Sequence, residues 1–455
     1  MIKKLLSLFL LVLISLANEE NFTLADYFKP FFYKVGYDEN GYFIKRYDLE
    51  SKRSDKKYIS LKESDLFLYD MKIINGYSYL SGTYKEQGIV ISLDEDLNEK
   101  FTIPQIDDKR YFFTALDKEG EKTFLAGGAV TDITPVPYFA ILSENDKIET
   151  EKYFPNLENG WFTKIKKTEN YLYIGGVKQN IKSRNDTFLL KTDKNGNEIK
   201  RRSLSTKKDD FLKEIAIAGD GNIYALCESW GDLEGMKNEG FSDVFLIKLD
   251  KNLQTIWKKR LSTPYADTPA TVQIGEKYLY VGILNSTYFS YSLSYPGKNS
   301  FVVKIDKNGN QIWSQPFDIK NLLKIRVQAN ELVLIGEEDK IINLNLLNKR
   351  AFIKKIYSLL FDRTPKEHEL RYWEKYIDSE NALIKALSYF YDCDEFSQKR
   401  EELSTAAFIK LSYRALLNRE ADKAGMKYWQ NFDKEKIWKK MLRTKEFKEK
   451  TKRIL

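Results

Sequence analysis

The sequence predicts a mainly β protein with an added α domain: a β-propeller of about seven blades followed by a small all-helical module. Two-strand units with similar turns recur along the first three quarters of the chain. After Asn348 glycine nearly disappears and the apolar residues take up helical spacing. The high aromatic content, with 29 Tyr and 28 Phe, suits many half-buried strands.

The first residues form a segment of a different kind. Lys3 and Lys4 precede the apolar run 5–16, and the small residues Ser15 and Ala17 follow the pattern that a signal peptidase cleaves. This run is shorter than the roughly 20 residues that a membrane-spanning helix needs. We therefore predict a secretory signal at residues 1–17, with an uncleaved anchor as the alternative. The protein is expected to be exported, and to be periplasmic, cell-surface or secreted.

The predicted propeller covers residues 18–347 and is recognised by its repeated turns. The segments 188–197, 245–254 and 301–310 each join two short strands through an Asp-rich turn. The Asp side chain accepts hydrogen bonds from its own backbone two residues on, and Asn and Gly accept the left-handed conformation of a tight hairpin. A strand that usually ends in Gly precedes each turn, as at 278–282, whereas the version at 222–226 lacks the Gly.

The spacing of these turns indicates the number of blades. Seven turn positions lie 39 to 57 residues apart, at Asp48, Asp94, Ser143, Asp193, Asp250, Asp306 and Asn345. This spacing is typical of four-stranded propeller blades, with six or eight blades as alternatives. Because the last repeat is short, we expect residues 31–47 to complete the final blade. An open β-sandwich array, or two smaller β domains, is the competing architecture.

Two of the repeats carry a further signal. Asp250 is followed by Trp257, and Asp306 by Trp313, whereas earlier repeats have Phe101 and Lys200 at this position. These units resemble the repeats of pyrroloquinoline-quinone-type propellers, which include the outer-membrane-assembly scaffolds, over residues 40–345. The resemblance implies that such aromatic residues dock between blades and are structural.

The helical module is predicted at residues 348–455 as two copies, 350–400 and 406–450. The copies align 56 residues apart, through the matching pairs Phe352 and Phe408, Leu360 and Leu416, Arg363 and Arg419, and Tyr372-Trp373 and Tyr428-Trp429. Thr364 and Pro365 predict a helix start, with Glu367 completing a capping box.

The residues of this duplication resemble the exported bacterial family "domain of unknown function 4214". The second copy has Arg419, Asp422, Gly425 and Trp429 of the family pattern, and the first copy has Arg363, Pro365 and Trp373. The first copy departs from the pattern with Lys366 and Glu369, and the second with Ala421. The resemblance implies a secreted or surface-associated role and no activity. We expect Arg363, Trp373, Arg419, Asp422, Gly425 and Trp429 to be structural.

A search for chemistry finds no catalytic constellation. The single His368 aligns with Ala424 in the other copy, so it is a poor catalytic candidate. One His and two isolated Cys residues, Cys227 and Cys393, do not form a zinc motif. The two Cys are expected to be buried small hydrophobes more often than a disulfide. No metal and no cofactor is predicted. A pair of carboxylates for glycoside cleavage stays an alternative, because the distance between two acidic side chains cannot be read from the sequence.

The net charge of +8 is concentrated in the helical part of the chain. Residues 351–455 hold 24 basic and 17 acidic residues, so the rest of the chain is nearly neutral. The segment 434–453 has ten basic residues with apolar residues at helical spacing. It predicts a basic amphipathic helix that binds an anionic surface through Lys434, Lys436, Trp438, Lys439, Lys440 and Arg443. The alternative is a solvated final helix whose apolar face packs on the module.

These features lead to three hypotheses about function. The first is a non-enzymatic binding or scaffold protein of the envelope or cell exterior, with the propeller as a platform for an envelope protein or extracellular glycan. The helical module would then associate with the surface, and nucleic acid is not an expected partner. The second is a propeller enzyme that acts on extracellular polysaccharide. The third and weakest is a quinone-dependent dehydrogenase, because the repeat Trp is only partly kept.

Overall fold

The computed structural model describes most of the chain after the predicted signal. It describes residues 21–454 except 29, 49–50, 52, 62–64, 103–109, 131–133, 144, 181–183, 262–265, 287–299, 318, 320, 329–330, 338–340 and 346–348. The signal predicted at residues 1–17 lies outside the described residues and stays a prediction. Within them, no helix is both long enough and apolar enough to cross a membrane.

The chain divides into two compact units. The first contains the chain up to Val327 together with Val333–Ile342, and the second contains Gln328–Leu332 together with the chain from Asn343. The first unit is built of β-sheets and the second is mainly helical.

The strands form seven sheets, and in each sheet the strands lie side by side in chain order. Sheets 1 to 4 consist of β1 (Asn21–Phe28), β2 (Phe31–Asp38), β3 (Gly41–Asp48) and β4 (Ser54–Tyr58); β5 (Leu66–Ile74), β6 (Tyr77–Tyr84), β7 (Gln87–Leu93) and β8 (Glu99–Thr102); β9 (Arg110–Glu119), β10 (Lys122–Val130), β11 (Pro135–Leu142) and β12 (Ile148–Tyr153); and β13 (Gly160–Lys167), β14 (Leu172–Gln179), β15 (Asn185–Thr192) and β16 (Glu198–Ser203). Sheets 5 to 7 consist of β17 (Asp210–Ile217), β18 (Ile223–Ser229), β19 (Asp243–Leu249) and β20 (Thr255–Arg260); β21 (Ala266–Ile274), β22 (Tyr278–Ser286), β23 (Ser300–Asp306) and β24 (Gln311–Phe317); and β25 (Leu322–Gln328), β26 (Glu331–Gly336) and β27 (Ile341–Asn345).

The blade count corrects the prediction of about seven four-stranded blades. Six sheets are four-stranded blades, and the last repeat forms a sheet of three strands among the described residues. The expectation that residues 31–47 complete the final blade is wrong. They form β2 and β3, which pair with each other and with β1 and β4 in sheet 1.

The ring closes by packing between sheets. The first strands of successive sheets contact one another from β1 through β21, as a propeller requires. At the junction of sheets 1 and 7, Phe32 packs with Val333 and Ile335, and the Arg326 guanidinium bonds to the Asp26 carboxylate. The propeller prediction is confirmed, and the open array and the two smaller β domains are excluded.

A β-bulge interrupts the first strand of each of the six four-stranded blades. The extra residues are Thr23, Tyr69, Thr114, Thr163, Lys213 and Ala270. The repeated Gly of the sequence lies opposite such bulges. A Cβ atom on Gly82 would lie 2.0 Å from the Phe67 carbonyl oxygen, and one on Gly127 would lie 1.8 Å from that of Phe112. Glycine is therefore needed where the bulged strand comes close, which explains the strand-ending Gly.

The Asp turns lie between the third and fourth strands, and they have the predicted chemistry. Asp193 Oδ1 accepts the backbone N–H groups of Asn195 and Asn197, both at 2.9 Å. Asp306 makes the same two bonds, with Asn308 and Asn310. Each turn also docks on the preceding blade. The indole Nε1 of Trp257 in β20 donates to the Lys307 carbonyl oxygen at 3.0 Å, so this aromatic residue lies between two blades.

The second unit contains eight α-helices and one π-helical turn among its described residues. They are α1 (Lys349–Phe361), α2 (Glu367–Tyr376), α3 (Glu380–Asp392), α4 (Asp394–Glu402), α5 (Thr405–Ser412), the π-helical turn Tyr413–Leu417, α6 (Lys423–Trp429), α7 (Lys434–Met441) and α8 (Lys445–Ile454). Their apolar faces meet in one core that includes the predicted repeat residues of both copies. The predicted capping box at Thr364–Glu367 does not form. The N-cap of α2 is Lys366, whose side chain cannot accept a hydrogen bond, and Glu369 supplies the one capping bond by accepting the Lys366 backbone N–H.

Candidate functional site

The first strands enclose a cavity at the centre of the ring. Its volume is about 410 Å³, and six of the seven first strands line it. The bulges place consecutive residues in the lining, as for Tyr69 and Asp70 in β5 and Lys213 and Glu214 in β17. Charged lining residues are numerous: the basic ones are Lys72, Lys164, Lys166, Lys213, Lys324 and Arg326, and the acidic ones are Asp26, Asp70 and Glu214.

The three carboxylates of the lining, together with Asp117 on β9 outside it, hold neighbouring blades together. Each accepts a backbone N–H from the first strand of the next blade, whose edge would otherwise lack a partner there. The bonds join Asp26 to Ile73 at 2.9 Å, Asp70 to Leu116 at 3.1 Å, Asp117 to Lys167 at 3.1 Å, and Glu214 to Val272 at 2.9 Å. Four of the seven junctions between neighbouring sheets of the ring therefore carry the same link.

Cations reinforce three of these links. Asp117 lies 2.7 Å from Lys72 Nζ, Glu214 lies 3.5 Å from Lys324 Nζ, and Asp26 bonds to Arg326. Burial alone would raise the pKa of Glu214, but the cations of Lys324 and Lys166 and the Val272 N–H outweigh it and lower the pKa to about 2. Burial is likewise outweighed at Asp117, where Lys72 lowers the pKa of the carboxyl. Both groups are thus ionised around neutral pH.

The lysines of the cavity differ in whether their positive charge is paired with a carboxylate. Lys213 lies 3.0 Å from Glu228, and Lys72 is paired with Asp117. Burial and the nearby Lys166 lower the pKa of Lys72 to about 8, against the raising effect of Asp117. Within the described part of the chain, the ammonium groups of Lys164 and Lys166 have no carboxylate within salt-bridge distance and no hydrogen-bond acceptor. The lining therefore carries an excess of positive charge.

Sequence reasoning did not find this cavity. Its residues come from seven strands that belong to six different sheets, and each strand supplies only a few of them. A usable signal was present in the chain. Charged residues two positions apart, Asp70 and Lys72 or Lys164 and Lys166, occur in the otherwise apolar first strand of a repeat. Alternation places such pairs on one face of a strand, so they point the same way.

The predicted structural arginines occupy equivalent places in the helical unit. Arg363 bonds to both carboxylate oxygens of Glu369, at 2.9 and 2.8 Å, and to Glu395. Arg419 bonds to both oxygens of Glu446, at 2.7 and 3.0 Å, and to Asp422 at 3.1 Å. Each arginine thereby ties the start of a helix to a helix further along the chain, and each is bidentate to a carboxylate.

The carboxylate that binds the arginine stands at a different position in the two places, but it has the same function. In the second copy Asp422 is the N-cap of α6 and its Oδ1 accepts the Gly425 N–H at 2.6 Å. In the first copy Lys366 stands at the N-cap, and Glu369 accepts the Lys366 N–H at 2.6 Å. In both places one carboxylate thus caps the helix and also binds the arginine, although it stands at a different position of the sequence.

The repeated tryptophans are buried and bonded alike. Trp373 Nε1 donates to Tyr357 Oη at 2.9 Å, and Trp429 Nε1 donates to Tyr413 Oη at 3.2 Å. The neighbouring residues Tyr372 and Tyr428 remain more than half exposed, at 58% and 55%. The two Trp–Tyr bonds are offset by 56 residues in the chain, and all four residues lie in the core of the helical unit.

The predicted anionic-surface residues are partly corrected. Trp438 is fully buried and donates its indole N–H to the Leu387 carbonyl oxygen at 3.1 Å, so it belongs to the core and not to a surface. Lys434 donates to the carbonyl oxygens of Arg400 and Glu401, where α4 ends. The remaining predicted residues, Lys436, Lys439, Lys440 and Arg443, are exposed. Lys436 and Lys439 pair with acidic residues of their own helix, which neutralises them only weakly.

No cluster of three or more potential metal ligands is found among the residues that the structure describes. The two cysteines are free thiols. Cys227 is fully buried in the core of sheet 5, in line with its predicted role, and Cys393 is half-buried.

Residues 387–451 match the family described as "Domain of unknown function (DUF4214)". No curated protein matches the chain. Among solved structures, the hydrazine synthase of Kuenenia stuttgartiensis is 12% identical with a TM-score of 0.43, covering 70% of this chain and 86% of that one. A chain of the mitotic checkpoint complex is 8% identical with a TM-score of 0.48, covering 71% and 90%. The polysaccharide lyase Uly1 is 9% identical with a TM-score of 0.43, covering 70% and 88%.

Proposed function

We propose that this protein is a non-enzymatic binding or scaffold protein of the cell envelope or exterior, exported by the segment 1–17. Its propeller is the binding platform, for an envelope protein or an extracellular glycan. The single observation that supports this best is the difference between the acidic and the basic side chains of the central cavity in the bonds that they form. The carboxylates accept hydrogen bonds in links between blades, whereas the ammonium groups of Lys164 and Lys166 form no ion pair or hydrogen bond with a described residue. We infer that these two groups contact the ligand.

The same carboxylates are poorly suited to acid–base catalysis. A general acid needs a pKa raised towards the working pH. The pKa of Glu214 lies instead at about 2, and the pKa values of Asp26 and Asp117 are also lowered. Each of these groups is a structural acceptor, so protonating one would release a blade-to-blade bond.

We propose that the helical unit attaches the protein to an anionic surface. Lys436, Lys439, Lys440 and Arg443 supply the charge, and Trp438 takes no part in it. The exposed tyrosines Tyr372 and Tyr428 offer flat apolar surface at equivalent places in the two copies. We also propose that residues 350–400 and 406–450 are two copies of the family unit, which the repeated Arg–carboxylate and Trp–Tyr bonds support.

We propose further that the β repeats are of the pyrroloquinoline-quinone type and serve a structural purpose. The docking of Trp257 on the turn of the next blade supports this, because it is the contact that the resemblance implies. The corresponding turn at Gly196 lies against another aromatic residue of the preceding blade, Phe139, which belongs to the third strand and not to the fourth.

The test is a binding experiment with the purified mature chain and cell-envelope fractions, at low and at high salt. We expect the chain to sediment with the fractions, with retention that falls as salt screens the lysines. The quadruple change Lys436→Gln, Lys439→Gln, Lys440→Gln and Arg443→Gln should weaken retention. The matched control replaces exposed basic residues elsewhere in the chain by Gln, Lys207 and Lys208 among them, and should leave retention unchanged. A chain that fails to bind at either salt concentration contradicts the proposal.

A propeller enzyme acting on extracellular polysaccharide is the second candidate. Lys72 favours it, because a lysine with a pKa of about 8 in a cavity is suited to accepting a proton, and Tyr69 lines the same cavity. Incubation with polysaccharides, followed by an assay for new chain ends, tests it. Activity that is lost in Lys72→Met would replace the binding proposal by this one.

A further inference from the structure

We propose that the central cavity binds an acidic saccharide, a short sugar chain that carries carboxylates. This inference rests on the proposed binding function and adds the ligand chemistry. Six basic residues and three acidic residues line the cavity, and Lys213 and Lys72 are also paired with Glu228 and Asp117 outside the lining. One positive charge is then left in excess. A cavity with one sign of charge and walls of low dielectric constant concentrates ligands of the opposite sign.

The accessible part of this charge lies on β13. Lys164 and Lys166 are two positions apart, so both face the cavity, roughly 6.6 Å apart along the strand. Neither ammonium group forms a salt bridge or a hydrogen bond with any residue that the structure describes. Both side chains are only partly exposed, so their water shell is incomplete. Two such cations are suited to two anionic groups of a single ligand.

The acidic residues of the lining do not oppose an anion strongly. Asp26 and Glu214 are each held by a backbone N–H and by a cation, Arg326 and Lys324 respectively. Asp70 accepts the Leu116 N–H at 3.1 Å. The negative charge of these carboxylates is thus partly balanced within the ring. Lys164 and Lys166 contribute to this balance at Glu214 through space, but their ammonium groups form no ion pair or hydrogen bond with a described residue.

The remainder of the lining favours a sugar chain over an inorganic anion. A volume of about 410 Å³ lies within the usual range for sites that hold organic ligands, and is far larger than a phosphate ion requires. Tyr69, Leu284, Leu322 and Leu323 provide apolar surface, on which the C–H face of a sugar ring packs. Among the described residues of the lining, Arg326 is the one arginine, and its guanidinium group already bonds to Asp26 and Gln273. It therefore cannot bind a phosphate through two parallel hydrogen bonds.

The experiment is calorimetric titration of the purified mature chain with trigalacturonate, which carries a carboxylate on each ring. Maltotriose serves as the neutral counterpart, and inorganic phosphate as the simple anion. We expect trigalacturonate to bind with an affinity that falls as salt rises, and the other two to bind at least tenfold more weakly. Equal binding of maltotriose, or of phosphate, would overturn the assignment of an acidic saccharide.

Variants of the two lysines locate the site. The double change Lys164→Gln and Lys166→Gln should weaken trigalacturonate binding about tenfold or more. The change of both residues to Arg, which keeps the charge, should retain most of it and guards against a mere folding defect. The matched control, Lys207→Gln with Lys208→Gln, removes two exposed charges outside the cavity and should leave binding unchanged. If the double glutamine variant at 164 and 166 and the one at 207 and 208 lose trigalacturonate affinity equally, the assignment of the site to the cavity is contradicted.

Envelope binding separates this inference from the proposed function. A chain that binds envelope fractions but not trigalacturonate overturns the ligand assignment and leaves the binding function in place. A chain that binds neither overturns both.

Discussion

The carboxylate of Asp117 accepts a hydrogen bond at 3.1 Å from the backbone N–H of Lys167, a residue of the next blade. This bond is one of four equivalent links around the ring, and its acceptor is held in place by Lys72 at 2.7 Å. The first strand of every blade is an edge strand, whose N–H groups need partners that the blade itself does not supply. Side-chain carboxylates meet that need, and the charge pattern of the cavity follows from it.

We predict that Asp117→Ala lowers the free energy of unfolding by about 3 to 5 kcal/mol, because it leaves the Lys72 ammonium and the Lys167 N–H buried without a partner. Asp117→Asn should cost less, since the amide oxygen still accepts the N–H bond. Urea unfolding followed by tryptophan fluorescence measures both. The control is Glu119→Gln on the same strand, whose surface ion pairs contribute at most about 1 kcal/mol. Equal losses in Asp117→Ala and Glu119→Gln would refute the role of this link.

Acid should weaken the protein through Glu214. Its pKa is about 2 in the folded chain, below the ordinary value of 4.5, so the unfolded chain takes up the proton first as the pH falls. The stabilisation is therefore complete above about pH 4.5 and is lost as the pH falls towards about 2. Its upper limit is about 3 kcal/mol. The difference in unfolding free energy between the wild type and Glu214→Gln, measured across this range, should shrink with acidity; a constant difference would contradict the prediction.

A single methyl group at Gly425 should disturb the second helical copy. A Cβ atom there would lie 2.1 Å from Tyr413 Oη, which accepts the Trp429 indole N–H. We expect Gly425→Ala to lower the unfolding free energy of the helical unit by about 1 to 3 kcal/mol.

Tyr413→Phe removes the atom that the new methyl group would meet, so it should restore part of the loss in a double-mutant cycle. The neighbouring change Ala424→Ser, at an exposed position of the same helix, is the control, with an expected effect within about 0.5 kcal/mol. Additive effects of Gly425→Ala and Tyr413→Phe would argue against the contact.

The two thiols should differ in reactivity. Burial raises the pKa of Cys227 well above its ordinary value, and the residue is fully buried in the core of its sheet. Cys393 is half-buried, and burial raises the pKa of its thiol as well. In native protein a thiol reagent should leave Cys227 unmodified and modify Cys393 slowly, whereas both should react at once in denaturant. Mass spectrometry of the labelled peptides decides this, and rapid native labelling of Cys227 would contradict the packing.

The elements that the sequence predicted best depend on neighbours close along the chain. The Asp turns at Asp193 and Asp306 are local structures, in which one side chain bonds to backbone groups two and four residues on. The 56-residue repeat of Arg363 and Arg419 likewise predicted equivalent places, because a duplicated sequence builds the same local core. The three-stranded last sheet was not predicted, since strand number depends on which segments pair.

The case of Trp438 shows the limit of periodicity. A basic helix with apolar residues on one side has the same pattern whether that side meets an anionic surface or a protein core. Here α7 turns Trp438 towards α3, whose Leu387 carbonyl accepts its N–H, and only the outer lysines remain exposed. Whether the apolar side of such a helix is buried in the core therefore depends on partner helices that are far away in the sequence.

The sequence by itself determined the repeat, the turns, the helical duplication and the change of period between the two parts, because each is a relation among residues of one segment. Only the tertiary structure brought Lys164, Lys166 and the linked carboxylates to one cavity. Ring closure brings short stretches from six of the seven sheets together, and the unpaired strand edges that meet there decide which charges form links between blades.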